Sequence, residues 1–339
     1  MTRRRVTLDD VARLVGVSAA TVSRFVNDPS KVREHLRGPI QAAIDELAYV
    51  PHGGARSLAS RRSRMIGAVF PSLQTSLFGG ALDALQNAIA SEGYTVVVAS
   101  SDYDPACEAH QVQTLLANGV DGLMLVGAAR DPRIHELIAR KGVPCVITWV
   151  SQSDTAFPCI GFDNHRAAFD VTNHLLDLGH RRFGVISGRL EHNDRGQARL
   201  AGVRAALAAR GLALAPEQIV YTRFGVAEGR EAFHHLMLRT PRPTAIVCGA
   251  EPFAYGAIFE AAEAGIAVPR EVSITGFDDM WLASQITPAL TTVRTPRARM
   301  GGMAGEYLLS VLGGETPTTP RPLPYELIVR RSTGPAPLA

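Results

Sequence analysis

Between Thr7 and Asn27 the chain reads TLDDVARLVGVSAATVSRFVN, two short amphipathic periods split by a glycine. Thr7 can cap the first helix, and Asp10, three residues on, can reach back to complete a capping box. Leu8, Val11, Ala12, Leu14 and Val15 recur at helical spacing and predict one buried stripe. Gly16 supplies the backbone freedom that ends this helix, and Val17 then turns inward as a plug between the two. Ser18 caps a second helix whose apolar face is Val22, Phe25 and Val26. Its other face shows Ala19, Ala20, Thr21, Ser23, Arg24 and Asn27, which is small, hydroxylated and singly cationic. Such a face suits a helix pressed on phosphates and base edges, and the whole is a helix-turn-helix signature. The same spacing also occurs at ordinary helical corners, so the pattern alone leaves both readings open.

Charge separates them further. Residues 1–65 hold twelve Lys and Arg against six Asp and Glu, a balance of +6, although the whole chain carries only +3. A basic head on a mildly acidic body is the footprint of a polyanion-binding module joined to something that binds no polyanion. Arg3, Arg4 and Arg5 suit phosphate contact, though a short Arg run is also an ordinary solvated tail. Ser30 to Tyr49 reads as a third helix, with Ile40, Ala43, Ile44 and Leu47 closing a small core and Pro51 stopping it. Gly53-Gly54 and Ala55–Ser60 follow, a stretch too short to be a stable free helix.

From Met65 onward, strands alternate with helices. Strand-like runs are Met65–Phe70, Thr95–Ser100, Gly122–Val126, Cys145–Trp149, Phe183–Ser187, Ala245–Cys248 and Ser273–Gly276. Helical patterns between them are Ser76–Glu92, Pro105–Asn118, Pro132–Arg140, Ala167–Leu178, Arg195–Arg210, Ala227–Leu238 and Phe253–Ala264. Repeated βα units predict parallel sheets covered on both faces, here in two lobes. No GxGxxG follows a strand, and GGMAG at Gly301 lies inside a helical pattern, which argues against a dinucleotide site. Cys107, Cys145, Cys159 and Cys248 lack CxxC spacing and read as reduced core thiols. No HExxH, GxSxG or P-loop spacing exists, so no catalytic residue, metal or cofactor is expected. No signal segment or membrane span is legible, and a cytoplasmic location is expected.

The N-terminal stretch closely resembles the DNA-binding headpiece of the LacI/GalR family of bacterial repressors. The resemblance rests on Thr7-Leu8, Asp10-Val11-Ala12, Gly16-Val17-Ser18, Thr21-Val22-Ser23-Arg24, Asn27, Leu47, Tyr49, Pro51 and Ala55-Arg56-Ser57-Leu58. IGAVFPS, GVDGLMLVG, GFDNHRAA, LGHRRFGVISG, RLAGVRAAL and VPREVSITGFDDMWLASQITPALTTVRTPRARMG extend it to nearly the whole length. LRGPIQAAIDELAYVP, GFDNHRAA and TPRARMG are most like the gluconate-repressor branch. The fold implied is an all-α helix-turn-helix headpiece plus an α/β core of two parallel-sheet lobes like a type I periplasmic binding protein. The domains implied are a headpiece at 1–51, a hinge at 52–64 and an effector and dimerisation domain at 65–333, with a loose, Pro-rich tail at 334–339. Lobe 1 then spans about 65–162 and 293–321, and lobe 2 about 163–292 and 322–333.

The resemblance implies a sequence-specific transcriptional regulator acting as a homodimer on a pseudo-palindromic double-stranded operator. Thr7, Ser18, Thr21, Ser23 and Asn27 would position it on phosphates, Arg24 would read a guanine edge, and Ala19 and Ala20 would offer apolar contact. Arg56 and Leu58 fall in a hinge that becomes helical on operator and wedges the leucine into the minor groove. His52 stands where the family usually has Asn, and the paired glycines raise the entropy cost of ordering that hinge. Effector contacts carry over to Ser72, Phe78, Trp149, Asp163, Arg199, Phe224 and Asp278. Ala250-Glu251-Pro252 departs from the family's Asn-Asp and removes a sugar-hydroxyl partner. Alignment is loose over Glu191–Arg195, where His192, Asn193 and Arg195 are secondary candidates. The branch suggests a sugar acid with Arg199 as its anion partner. A solute-binding transport component would share the lobes, but the basic head and missing signal segment speak against it.

Overall fold

A computed structural model describes residues 6–50, 62–73, 76–152, 155–318 and 321–338. The chain divides after Arg64 into two compact units. In the first, α1 (Leu8–Val15), α2 (Ala19–Asn27) and α3 (Glu34–Glu46) enclose a core of Val11, Val22, Phe25, Val32, Ile40, Ala43 and Tyr49. The capping box forms as expected: Thr7 N donates to Asp10 Oδ2 at 2.9 Å and Asp10 N to Thr7 Oγ1 at 3.4 Å. Gly16 ends α1 in the left-handed region at φ +75°, and Ser18 Oγ accepts from Thr21 N at 3.2 Å to start α2.

The third helix is shorter than its sequence pattern. Asp28 accepts from Ser30 N at 3.1 Å and caps a separate 3-10 turn, Pro29–Lys31, so α3 begins only at Glu34. Its end lies ahead of Pro51: Ala48 turns left-handed at φ 46°, and Tyr49 N reaches back to Ile44 O at 2.9 Å. That is helix termination by a left-handed cap rather than by proline. Of the expected hinge, only residues 62–64 are described; Arg56 and Leu58 lie outside the described residues, as do Arg3, Arg4, Arg5 and Pro51.

The second unit holds two sheets. The first has the order β2 (Thr95–Ser100), β1 (Met65–Phe70), β3 (Gly122–Val126), β4 (Cys145–Thr148), β5 (Cys159–Ile160), all parallel. Helices α4 (Gly79–Ala90), α5 (Pro105–Ala117) and α6 (Pro132–Lys141) connect its first four strands. The second sheet contains β6 (Phe183–Gly188), β7 (Ile219–Thr222), β8 (Ala245–Cys248), β9 (Ser273–Asp278), β10 (Thr291–Arg294) and β11 (Glu326–Ile328). Their order is β11-β10-β9-β8-β6-β7, with only the β10–β11 pair antiparallel. Its helices are α7 (Asn164–Asp177), α8 (Asp194–Ala208), α9 (Val226–Met237) and α10 (Glu251–Glu263). The alternation in the sequence thus resolves into two doubly covered sheets, because strands buried on both faces are continuous apolar runs.

The last helix, α11 (Arg297–Leu312), leaves the second sheet after β10 and packs on α4 of the first lobe before β11 returns. GGMAG is the reason it fits. A Cβ at Gly301 would stand 1.9 Å from Ala81 O, and one at Gly305 would stand 2.8 Å from Ala88 Cβ. Gly301→Ala is therefore expected to overpack this contact and lower stability by roughly 1–3 kcal/mol, read as a fall in the thermal midpoint. An unchanged midpoint would contradict so close a helix–helix approach.

The end of the chain, expected to be loose, is tied to the second lobe. Gly334 O accepts from the His180 ring at 3.0 Å, and Ala336 N donates to Leu178 O at 2.9 Å. His180 is fully buried yet bonded on both ring nitrogens, to Thr244 and to Ser273, each at 3.0 Å. Cys145, Cys159 and Cys248 are buried free thiols and Cys107 is half-buried. No helix among the described residues is long and apolar enough to cross a membrane.

Candidate functional site

In the first unit, α2 displays the small polar face. Ser18, Ala20, Arg24 and Asn27 are exposed, and Thr21 and Ser23 are half-buried. Ala19 is also half-buried, but against the headpiece core, so less of it faces outward than its sequence position suggests. Arg24 makes no ion pair among the described residues, whereas Arg13 pairs with Asp10 and Lys31 with Asp28, each at 3.2 Å. The hydroxyls of Ser18 and Thr21 lie 2.9 Å apart at the start of α2. A helix N-terminus opened by two hydroxyls, with one uncommitted guanidinium a turn later, can take phosphate and reach a base edge.

In the second unit, a cavity of about 840 Å³ lies beyond the carboxyl ends of strands from both sheets. Ligands in open α/β sheets bind at that end, and the volume falls within the range of small-molecule sites. Ser72, Phe78, Trp149, Arg199, Phe224 and Asp278 all line it. Asp163 does not. It is exposed and caps α7, accepting from Arg166 N at 2.9 Å, because the carboxylate satisfies a helix start rather than a ligand. The next residue, Asn164, turns inward instead: its Nδ2 donates to Trp149 O at 2.8 Å and its Oδ1 accepts from Arg199 Nε at 2.9 Å.

Arg199 is the hub. Its NH1 donates to Gly249 O at 2.7 Å, its NH2 lies 3.8 Å from Asp278 Oδ1, and its guanidinium carbon sits 3.7 Å from the Phe277 ring centroid. Burial lowers its pKa, and the carboxylate of Asp278 pulls it back up. Asp278 is 1% exposed; Oδ1 accepts from Thr295 Oγ1 at 3.2 Å, while Oδ2 has no partner. The indole N–H of Trp149, itself 1% exposed, is likewise unpartnered. Buried polar atoms without partners are uncommon and costly, and here both belong to residues that line the cavity.

Rings and strained backbone frame this space. Trp149 packs edge-on against Phe78 at 4.9 Å, and Phe224 packs on Phe253 at 5.6 Å and on Tyr103 at 6.4 Å. Trp149 and Phe224 thus each sit in a separate aromatic cluster. Asp102, Tyr103, Trp149, His192 and Asp278 line the cavity with φ of 50°, 59°, 66°, 54° and 111°. Left-handed non-glycine residues are strained, and such strain gathers at functional sites.

Asn164 and Tyr103 carry no site signal of their own in the sequence, and Arg195 is only a secondary candidate there. Arg195 is 8% exposed and lies one turn before Arg199 on α8, so an i, i+4 reading from Arg199 would have raised it. Tyr103 sits just past β2, where strand-end loops reach the cavity. Burial raises the Tyr103 pKa, and the cations of Arg195 and Arg199 oppose that shift. Among the described residues, no group of three or more His, Cys, Asp or Glu could hold a metal ion.

Residues 7–52 match the bacterial regulatory proteins of the lacI family, and residues 172–333 match a periplasmic binding protein-like domain. The chain is 33% identical to the HTH-type transcriptional regulator GntR of Escherichia coli (strain K12), over 94% of this chain and 95% of the relative. It is 31% identical to catabolite control protein A of Priestia megaterium, over 97% of this chain and 99% of the relative. Among solved structures, the lac repressor dimer bound to operator and the anti-inducer ONPF superposes with a TM-score of 0.83 at 28% identity. That match covers 98% of this chain and all of the other.

Proposed function

We propose, given that the chain belongs to the lacI family of bacterial regulatory proteins and is a DNA-binding transcriptional regulator of that family, that its grip on an operator is set by a small polyhydroxylated acid, of the gluconate type, bound between the two lobes. The observation that carries this reading is the pairing of an unpartnered Asp278 Oδ2 and an unpartnered Trp149 N–H in a cavity that also holds two arginines. Asp278 supplies an acceptor and Trp149 a donor for ligand hydroxyls, and an arginine takes the acid group. Regulation follows if the ligand binds one lobe arrangement better than the other, because its differential affinity is all that can move the equilibrium. The headpiece (1–51) reads DNA through Arg24, with Thr7, Ser18, Thr21, Ser23 and Asn27 on phosphates and Ala20 and Ala19 at base edges. The hinge (52–64), with Arg56 and Leu58, transmits the change from the effector unit (65–333).

Two chains act together on a pseudo-palindrome. Calorimetric titration with gluconate, a second hexonate and glucose tests the reading. The acids are expected to bind and glucose to bind at least roughly tenfold more weakly, since a lost charge-assisted hydrogen bond is worth about 1.5–3 kcal/mol. Equal affinity for glucose and gluconate would reject an acid effector.

A further inference from the structure

Two arginines line the cavity, and they are committed very differently. Arg199 spends Nε on Asn164 and NH1 on Gly249 O, and its NH2 faces Asp278. Arg195 donates from NH1 to Asp194 Oδ1 at 3.0 Å and has the Tyr103 hydroxyl within hydrogen-bonding reach, which leaves its guanidinium less committed than that of Arg199. The residue lines the cavity and keeps 8% of its surface exposed. We infer that Arg195, and not Arg199, is the residue that takes the effector's carboxylate and thereby makes the site specific for an acid over a neutral polyol. This rests on the acid-effector reading above and deepens it.

The surroundings hold Arg195 in place for that task. Asp194 Oδ2 accepts from Ala128 N at 2.6 Å and Ala129 N at 3.2 Å, both on the loop after β3 of the first lobe. Its Oδ1 accepts from Arg195 N at 2.8 Å besides the guanidinium. With four donors on it, the Asp194 charge is dispersed, and the outer edge of Arg195 keeps its attraction for a second carboxylate. Gly127 makes room: it sits at φ +76°, and a Cβ there would fall 1.8 Å from Arg195 NH1. Arg130 holds that loop from within the first lobe by donating to Gly127 O at 2.7 Å. An acid on Arg195 therefore sits beside the junction where Asp194 already joins the lobes. Arg199 instead keeps Asn164, Gly249 and Asp278 in position for the hydroxyls.

The test compares gluconate with glucitol, its uncharged polyol counterpart, by calorimetry on the intact chain. Variants are Arg195→Gln, Arg195→Lys and Arg199→Lys. Arg195→Gln is expected to weaken gluconate roughly 100-fold while leaving glucitol within about twofold. Arg195→Lys, which keeps the charge, should restore most of the preference. Arg199→Lys should weaken both ligands together. Retained gluconate preference in Arg195→Gln, or loss of that preference in Arg199→Lys alone, would overturn the assignment. Failure of the unaltered chain to bind gluconate would instead sink the acid-effector reading itself, and this assignment with it.

Discussion

Arg199→Ala is expected to leave a chain whose operator affinity no longer changes with any effector, and to lower its stability. The substitution strips Asn164 Oδ1 and Gly249 O of their donor and removes the cation 3.8 Å from a carboxylate that is 1% exposed. Removing one member of a buried pair leaves an uncompensated charge and costs about 3–5 kcal/mol. The contact with Phe277 at 3.7 Å is lost as well. For a domain of this size that loss should appear as a fall in the melting midpoint on the order of 10 °C. Arg199→Lys separates the two effects: it keeps a cation near Asp278 but loses the planar fork, so the fold should recover more than effector binding does. A variant that melts like the unaltered chain and still responds would show that Arg199 is not the hub of the cavity.

Arg24→Ala should act on the other unit and leave melting nearly unchanged, because Arg24 is exposed and makes no ion pair among the described residues. Its expected effect is on sequence discrimination, by roughly 1–3 kcal/mol at one base pair of each half-site. A dimer has two half-sites, so the intact operator should weaken by roughly twice that. The measurement is a competition series in which each operator base pair is varied in turn. Relaxed preference confined to one position per half-site is expected. A uniform loss over all sequences, with a shallower salt dependence, would mark Arg24 as a phosphate contact instead.

The sequence made the headpiece and the long strands legible for a physical reason: each carries a period. Thr7, Asp10, Gly16 and Ser18 act locally, within a turn of where they stand, and the structure places each in its expected role. β5 has two residues and β11 three, too few to show alternation, and both escaped the sequence reading. The half-buried β7 and the four-residue β10 escaped it too. The cavity was harder, because it depends on which strand-end loops meet. Asp194 reaches Ala128 across 66 residues of chain, which no local pattern encodes. Asp163 and Asn164 differ by one position, yet one faces water and the other holds Arg199. Position in a motif identified the neighbourhood, and only burial and hydrogen bonding assigned the side chain.

An acid in the lobe cavity is expected to govern how tightly the headpiece holds its operator. Fluorescence anisotropy of a labelled operator, titrated with the intact chain at fixed salt in the presence and absence of saturating gluconate, reads this coupling. The apparent dissociation constant is expected to change roughly 5–150-fold, in either direction, which is a coupling free energy of about 1–3 kcal/mol. No such change is expected for Arg199→Ala. Identical binding curves with gluconate, with a second hexonate and with neither, for a chain that does hold the operator, would show that no acid in the cavity controls the headpiece.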